Sequence, residues 1–175
     1  GLFAQDFSTI DPTPLADEWY TKDSIPDEIL TALNKPVGYI GEKITRTIED
    51  IGTGGSYKLA NGTYTQEFMF GGNSSNFCTD AILNSSTGRL ALMIESGSIS
   101  SDDLWIDIAL HEMRESENGN QPFFKEAWHK TFDNCAVIVF DELDTSMYYN
   151  IMISDVIDQE NNPVNYSGTI TIAEF

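Results

Sequence analysis

From about residue 40 to the C-terminal end, apolar and polar residues alternate with a period of two, the spacing of half-buried β-strands. Residues 103–113 carry the signal most plainly. Leu104, Ile106, Ile108 and Leu110 fall on one face, and Trp105, Asp107, Ala109, His111 and Met113 on the other. Leu90, Leu92 and Ile94 share a face within 89–95, as do Tyr64, Phe68 and Phe70 within 63–70. Ile44, Arg46 and Ile48 alternate with Thr45, Thr47 and Glu49. Residues 135–140 are apolar throughout, as a strand covered on both faces would be. Further strands are expected near 78–83, 148–154 and 169–173. Asn61-Gly62, between the strand patterns 57–60 and 63–70, is the strongest signal in the chain for a two-residue hairpin.

Two stretches depart from this period. Residues 1–23 read as an irregular lead-in, because Asp11-Pro12-Thr13-Pro14 fits neither a helix interior nor a central strand. Residues 24–34 read as a short helix: Ser24 can cap it, Pro26 suits its first turn, and Asp27 and Glu28 complement its positive end. Ile29, Leu30 and Leu33 give it one apolar stripe, and Lys35-Pro36 ends it. Residues 115–130 have no clean period, and Phe123, Phe124 and Trp128 there fit a long loop or a helical turn. The expected fold is all-β: one domain over 1–175, an antiparallel two-sheet sandwich of about eight to ten strands with a short N-terminal helix, its β core spanning 37–175. A closed lipocalin-like barrel is the alternative.

Charge narrows the function. The 175 residues hold 9 Lys and Arg against 28 Asp and Glu, a formal net charge of −19. Nucleic-acid binding needs a basic face to displace counterions, and nine scattered cations do not supply one. The longest apolar run, 135–140, is far below the ~20 residues that span a bilayer, so no transmembrane segment is expected.

Catalytic motifs are sparse. His111-Glu112 begins like a zinc-protease motif, but Glu115 stands where the second His belongs, on a strand rather than a helix. The row Trp105, Asp107, His111 reads as the solvated side of that strand. No G-x-S-x-G elbow is present. Two carboxylates across a cleft would serve a glycosidase-like hydrolase, but with 28 acids no pair stands out. Gly52-Thr53-Gly54-Gly55 lacks the Gly-Lys-Ser/Thr of a phosphate loop. Cys78 and Cys135 allow one disulfide or two buried thiols, and neither belongs to a C-x-x-C pair. No cofactor is required. Calcium is the one metal the oxygen-rich turns suit, with Asp155, Asp158 and Glu160 as candidate ligands and 141–144 as a second acidic turn. Neither cluster has EF-hand spacing, which favours plain solvated turns. For ligand contact the candidates are Trp128, His129, Tyr148 and Tyr149, whose rings combine a flat face with a polar tip.

The acidic, Asn-, Ser- and Gly-rich β pattern resembles, in style across the whole chain, the exported surface lipoprotein domains of Bacteroides-type bacteria. That resemblance implies an exported domain at the periplasm, outer-membrane surface or cell exterior, held by a lipid anchor upstream of residue 1. Gly1 before Leu2-Phe3-Ala4 reads as a scar of tag removal, with a leader cut away. Locally, Pro14-Leu15-Ala16-Asp17-Glu18-Trp19-Tyr20 is similar to the G-x-W opening of lipocalin-like barrels, with Asp17 in the place of glycine. The expected function is a non-enzymatic envelope or secreted binding or adhesion module, its partner a glycan or an envelope protein. The alternatives are the two-carboxylate hydrolase and a carrier of lipid or small apolar ligands in a barrel. Segments 115–130 and 155–167 are the expected recognition loops.

Overall fold

The computed structural model of the chain describes residues 18–42, 55–70, 77–96, 105–116, 119–130, 135–157, 160, 162 and 166–175. The strands are β1 (Glu18–Tyr20), β2 (Val37–Gly41), β3 (Ser56–Lys58), β4 (Thr63–Phe70), β5 (Phe77–Cys78) and β6 (Ile82–Asn84). They continue with β7 (Leu90–Ser96), β8 (Trp105–Ser116), β9 (Gly119–Lys130), β10 (Cys135–Phe140), β11 (Tyr148–Ile157) and β12 (Tyr166–Glu174). One helix, α1, spans Asp27–Leu33. Sheet A runs β1-β10-β7-β12-β4-β2, and sheet B runs β3-β6-β11-β8-β9, with β5 also on β11. The fold is the expected two-sheet β sandwich with a short helix.

The period-two pattern explains the core. Tyr64 and Phe68 of β4, Leu90, Leu92 and Ile94 of β7, Ile138 and Phe140 of β10, and Ile170 and Ile172 of β12 face inward from sheet A. They meet Phe77, Leu83, Ile106, Ile108, Leu110, Tyr149, Ile151 and Ile153 of sheet B in one continuous cluster. β10 is buried on both faces because it is also covered from outside. There α1 lays Ile29, Ala32 and Leu33 over Ala91, Val137, Val139 and Ala173 of sheet A.

Several expectations are corrected. The sheets are mixed rather than wholly antiparallel, since β2 runs parallel to β4 and β3 parallel to β6. Asn61-Gly62 does not close a hairpin. That turn needs positive φ at both residues, but only Gly62 has it (φ 133), and Asn61 ends the 3-10 turn Leu59–Asn61. The chain thereby passes from β3 in sheet B to β4 in sheet A. Twelve strands are described where eight to ten were expected: β1 and β5 are too short for a periodicity to register, and β9 falls where a loop or helical turn was expected. The barrel alternative fails: among the described residues each sheet keeps two separate edges, β1 and β2 in one, β3 and β9 in the other. The lipocalin-like opening instead forms β1, an edge strand paired with β10.

The lead-in is also more regular than expected, with β1 and a 3-10 turn at Lys22–Ser24. Ser24 does not cap α1. Its hydroxyl donates to the Thr21 carbonyl (3.1 Å) and accepts from the Thr21 amide (2.9 Å), so the helix begins two residues later, after Pro26. Residues 119–130 are neither loop nor helical turn. They pair with β8 in unbroken register from Trp105↔Lys130 to Ser116↔Gly119. Twelve successive ladder positions override the weak local period. The predicted alternation at 44–49 lies outside the described residues. Among the described residues no helix is long and apolar enough to cross a membrane.

Candidate functional site

Sheet B carries the unusual chemistry. Its inner face is the apolar core, so the alternate positions of β8, Asp107, Ala109 and His111, belong to its outer face. These were expected to be solvated. The structure overturns this: Asp107 is 7% exposed, Ala109 3% and His111 1%. On β11 the register partner of His111 is Asn150, which is fully buried, and the partner of Asp107 is Asp155, beyond a register shift between Ile153 and Asp155. On β9 the positions opposite His111, Ala109 and Asp107 are Phe124, Glu126 and Trp128.

Asn150 ties the row to its neighbour. Its Nδ2 donates to the Thr79 carbonyl (3.1 Å) and to Thr79 Oγ1 (2.8 Å), and Thr79 Oγ1 also accepts from the Ile151 amide (3.2 Å). Asn150 Oδ1 makes no hydrogen bond among the described residues. Burying polar groups is costly unless they are hydrogen-bonded, so a polar row this deep demands partners that an apolar row would not.

The four aromatic and imidazole candidates divide by register. Trp128 and Tyr148 occupy positions of the outer face, opposite Asp107 and Met113. His129 and Tyr149 belong to the inner face, opposite Ile106 and Glu112. Tyr148 is half-buried. Tyr149 is a core residue: its ring sits in the inter-sheet cluster, and its hydroxyl accepts from the Asp144 amide (2.8 Å). Burial pushes its pKa up to about 12. The structure therefore does not bring the four together, and period-two geometry is the reason.

Neither cysteine is in a disulfide, and both are buried. The disulfide allowed by the sequence is not formed, and parity explains it. Ile138 and Phe140 of β10 face sheet B, so Cys135 stands on the opposite side with Val137 and Val139, while Cys78 lies within sheet B. Burial pushes the Cys135 thiol up to about 11, the Glu95 carboxylate adds to this, and Lys22 opposes it.

Of the calcium candidates, Asp155 lies in β11, Glu160 is exposed and Asp158 is outside the described residues. The other acidic turn has structural work for its carboxylates. Asp144 Oδ1 accepts from the Ser146 amide (2.9 Å) and hydroxyl (2.6 Å), and Asp141 Oδ1 accepts from the Glu142 amide (2.7 Å) and faces Arg89 Nε (3.6 Å). Among the described residues no three His, Cys, Asp or Glu are placed to hold one metal ion.

A second polar cluster, missed in the sequence, clasps the two sheets. The buried Tyr64 hydroxyl donates to Gln66 Oε1 and accepts from the Asp80 amide (2.8 Å). The Asp80 amide also donates to Gln66 Oε1 (2.9 Å), and Asp80 Oδ2 accepts from the Glu42 amide (3.1 Å). Tyr39 stacks on the Tyr64 ring with centroids 5.4 Å apart. Desolvation holds the Tyr64 pKa well above the ordinary tyrosine value. Satisfied internally, this cluster serves the fold rather than a ligand.

Among the described residues the β8–β9 hairpin, twelve residues in each strand, forms one end of sheet B. No family model matches the chain, and no curated protein is significantly similar to it.

Proposed function

We propose that the chain is a non-enzymatic binding or adhesion module of the exported, envelope-associated kind, anchored by a lipid upstream of residue 1, and that it meets a protein or glycan partner through the β8–β9 hairpin of sheet B. One observation carries the reading. Among the described residues β9 ends sheet B and pairs with β8 alone, so twelve residues of strand form an edge of that sheet. Such an edge offers a row of main-chain donors and acceptors, and proteins either blunt it or use it. The hairpin also takes in much of the segment 115–130 that the sequence singled out for recognition.

The test is a parallel screen of the intact chain against arrays of glycans and envelope proteins and against a panel of glycosidase substrates. Binding without turnover is the expected result, and a variant with the hairpin shortened by whole cross-strand pairs loses that binding while keeping its thermal transition. Substrate turnover with no binding partner would contradict the reading and restore the two-carboxylate hydrolase.

A further inference from the structure

The passage from β3 to β4 leaves a cleft of about 260 Å³ beside the 3-10 turn Leu59–Asn61. Lys35 and Pro36, which follow α1, line it together with Glu174, the last residue of β12. Leu59, 3% exposed, and Pro36 give it an apolar surface. Gly62 lets the turn approach Pro36 closely. Its φ is 133, and a Cβ there would stand 2.8 Å from the Pro36 carbonyl oxygen. The Thr63 amide donates to that same carbonyl (3.0 Å) and fixes the approach.

Two opposite charges share this lining without pairing. Glu174 is held in place: its Oε1 accepts from the Ser86 amide (3.0 Å) and its Oε2 from the Ser86 hydroxyl (2.5 Å). A carboxylate has about four acceptor sites, so it keeps capacity for a further donor. Lys35 is exposed and forms no ion pair among the described residues.

We propose that this cleft binds a small aliphatic α-amino acid, its ammonium on Glu174, its carboxylate on Lys35 and its side chain against Leu59 and Pro36. Charge selects the class. A simple anion is attracted by Lys35 but repelled by Glu174 and by a chain of net charge −19. A simple amine is attracted by Glu174 but repelled by Lys35. A zwitterion satisfies both groups at once. Size sets the upper limit, since pockets for drug-sized ligands begin at roughly 300 Å³. The two bonds from Ser86 orient the carboxylate beforehand, which lowers the ordering cost of binding. The cleft shares no residue with the β8–β9 hairpin, so its failure leaves the binding-module reading untouched.

Amide NMR titration of the intact chain with L-leucine tests this, beside isoamylamine, which lacks the carboxylate, and isocaproate, which lacks the ammonium. Leucine is expected to shift the amides of Lys35, Ala60, Gly62 and Glu174 saturably, and each analogue to bind there at least roughly tenfold more weakly. Lys35→Gln alters an exposed side chain and keeps the thermal transition; it weakens leucine at least roughly tenfold without weakening isoamylamine. Glu174→Gln weakens leucine without weakening isocaproate. No saturable shift with leucine overturns the proposal, as do shifts centred on other amides, equal binding of either analogue, or a leucine affinity that Lys35→Gln leaves unaltered. If Glu174→Gln lowers the thermal transition, the analogues and Lys35→Gln decide the matter by themselves.

Discussion

Each sheet buries part of its outer face, and the two do so by opposite means. Sheet A sets Ala91, Val137, Val139 and Ala173 under Ile29, Ala32 and Leu33 of α1, an apolar contact that needs no directional partners. Sheet B buries Asp107, His111 and Asn150, whose exposures of 7%, 1% and 0% match those of an apolar core. Equal burial therefore conceals unequal demands. The apolar face tolerates small adjustments of its neighbours, whereas the polar row requires each hydrogen bond in place. The contact under the helix thus stabilises through buried area, and the polar row only through its directional bonds.

Mutations should separate the two. The largest effect is expected from Ile29→Ala, which empties the contact between α1 and sheet A and lowers stability by about 2–5 kcal/mol in denaturant unfolding. An effect below about 0.5 kcal/mol would mean that α1 is not what secures that face. Next, Asn150→Leu keeps volume but strands the Thr79 carbonyl and leaves its hydroxyl with the Ile151 amide alone, for a loss of about 1–3 kcal/mol. A stabilised Asn150→Leu protein would show that the polar row is dispensable to the fold.

Alkali sharpens the comparison. The raised pKa of Tyr149 keeps its proton on in the folded state, so its stabilising contribution is whole below pH 10, the ordinary tyrosine value, and is lost as pH rises toward 12. Tyr149→Phe should flatten part of that loss while costing about 0.5–1.5 kcal/mol at neutral pH from the bond to the Asp144 amide. On the other side of the molecule, Cys135 should react with thiol reagents at pH 8 far more slowly folded than unfolded, because its thiol is buried and its pKa is raised. Equal labelling rates would place Cys135 at the surface. The smallest expected effect is that of EDTA, which should leave Tm unchanged; a fall of several degrees would call for a cation in the oxygen-rich turns of sheet B.

The sequence made the inner core readable and the outer faces opaque, for one physical reason. Alternation assigns Leu90, Leu92, Ile94, Ile106, Ile108 and Leu110 to a common interior, and all six are buried there. Alternation says nothing about what covers the other side. It therefore read Asp107 and His111 as solvated, and it could not foresee α1 over Val137 and Val139. The helix was legible from Ile29 and Leu33, though Leu30 of the expected stripe is exposed and Ala32 buried instead, and its start was not, because Ser24 bonds back to Thr21. β9 was missed because an edge strand is held by backbone pairing, which leaves a weak mark on side-chain pattern. The separation of Trp128 and Tyr148 from His129 and Tyr149 was within reach, since adjacent residues on a strand take opposite faces.

Amide hydrogen exchange with and without the partner recovered from the binding screen tests the central claim most directly. The account predicts new protection concentrated in Gly119–Lys130, with the amides of β2 and α1 on sheet A unchanged. Protection confined to sheet A, with β9 exchanging as it does alone, would contradict it.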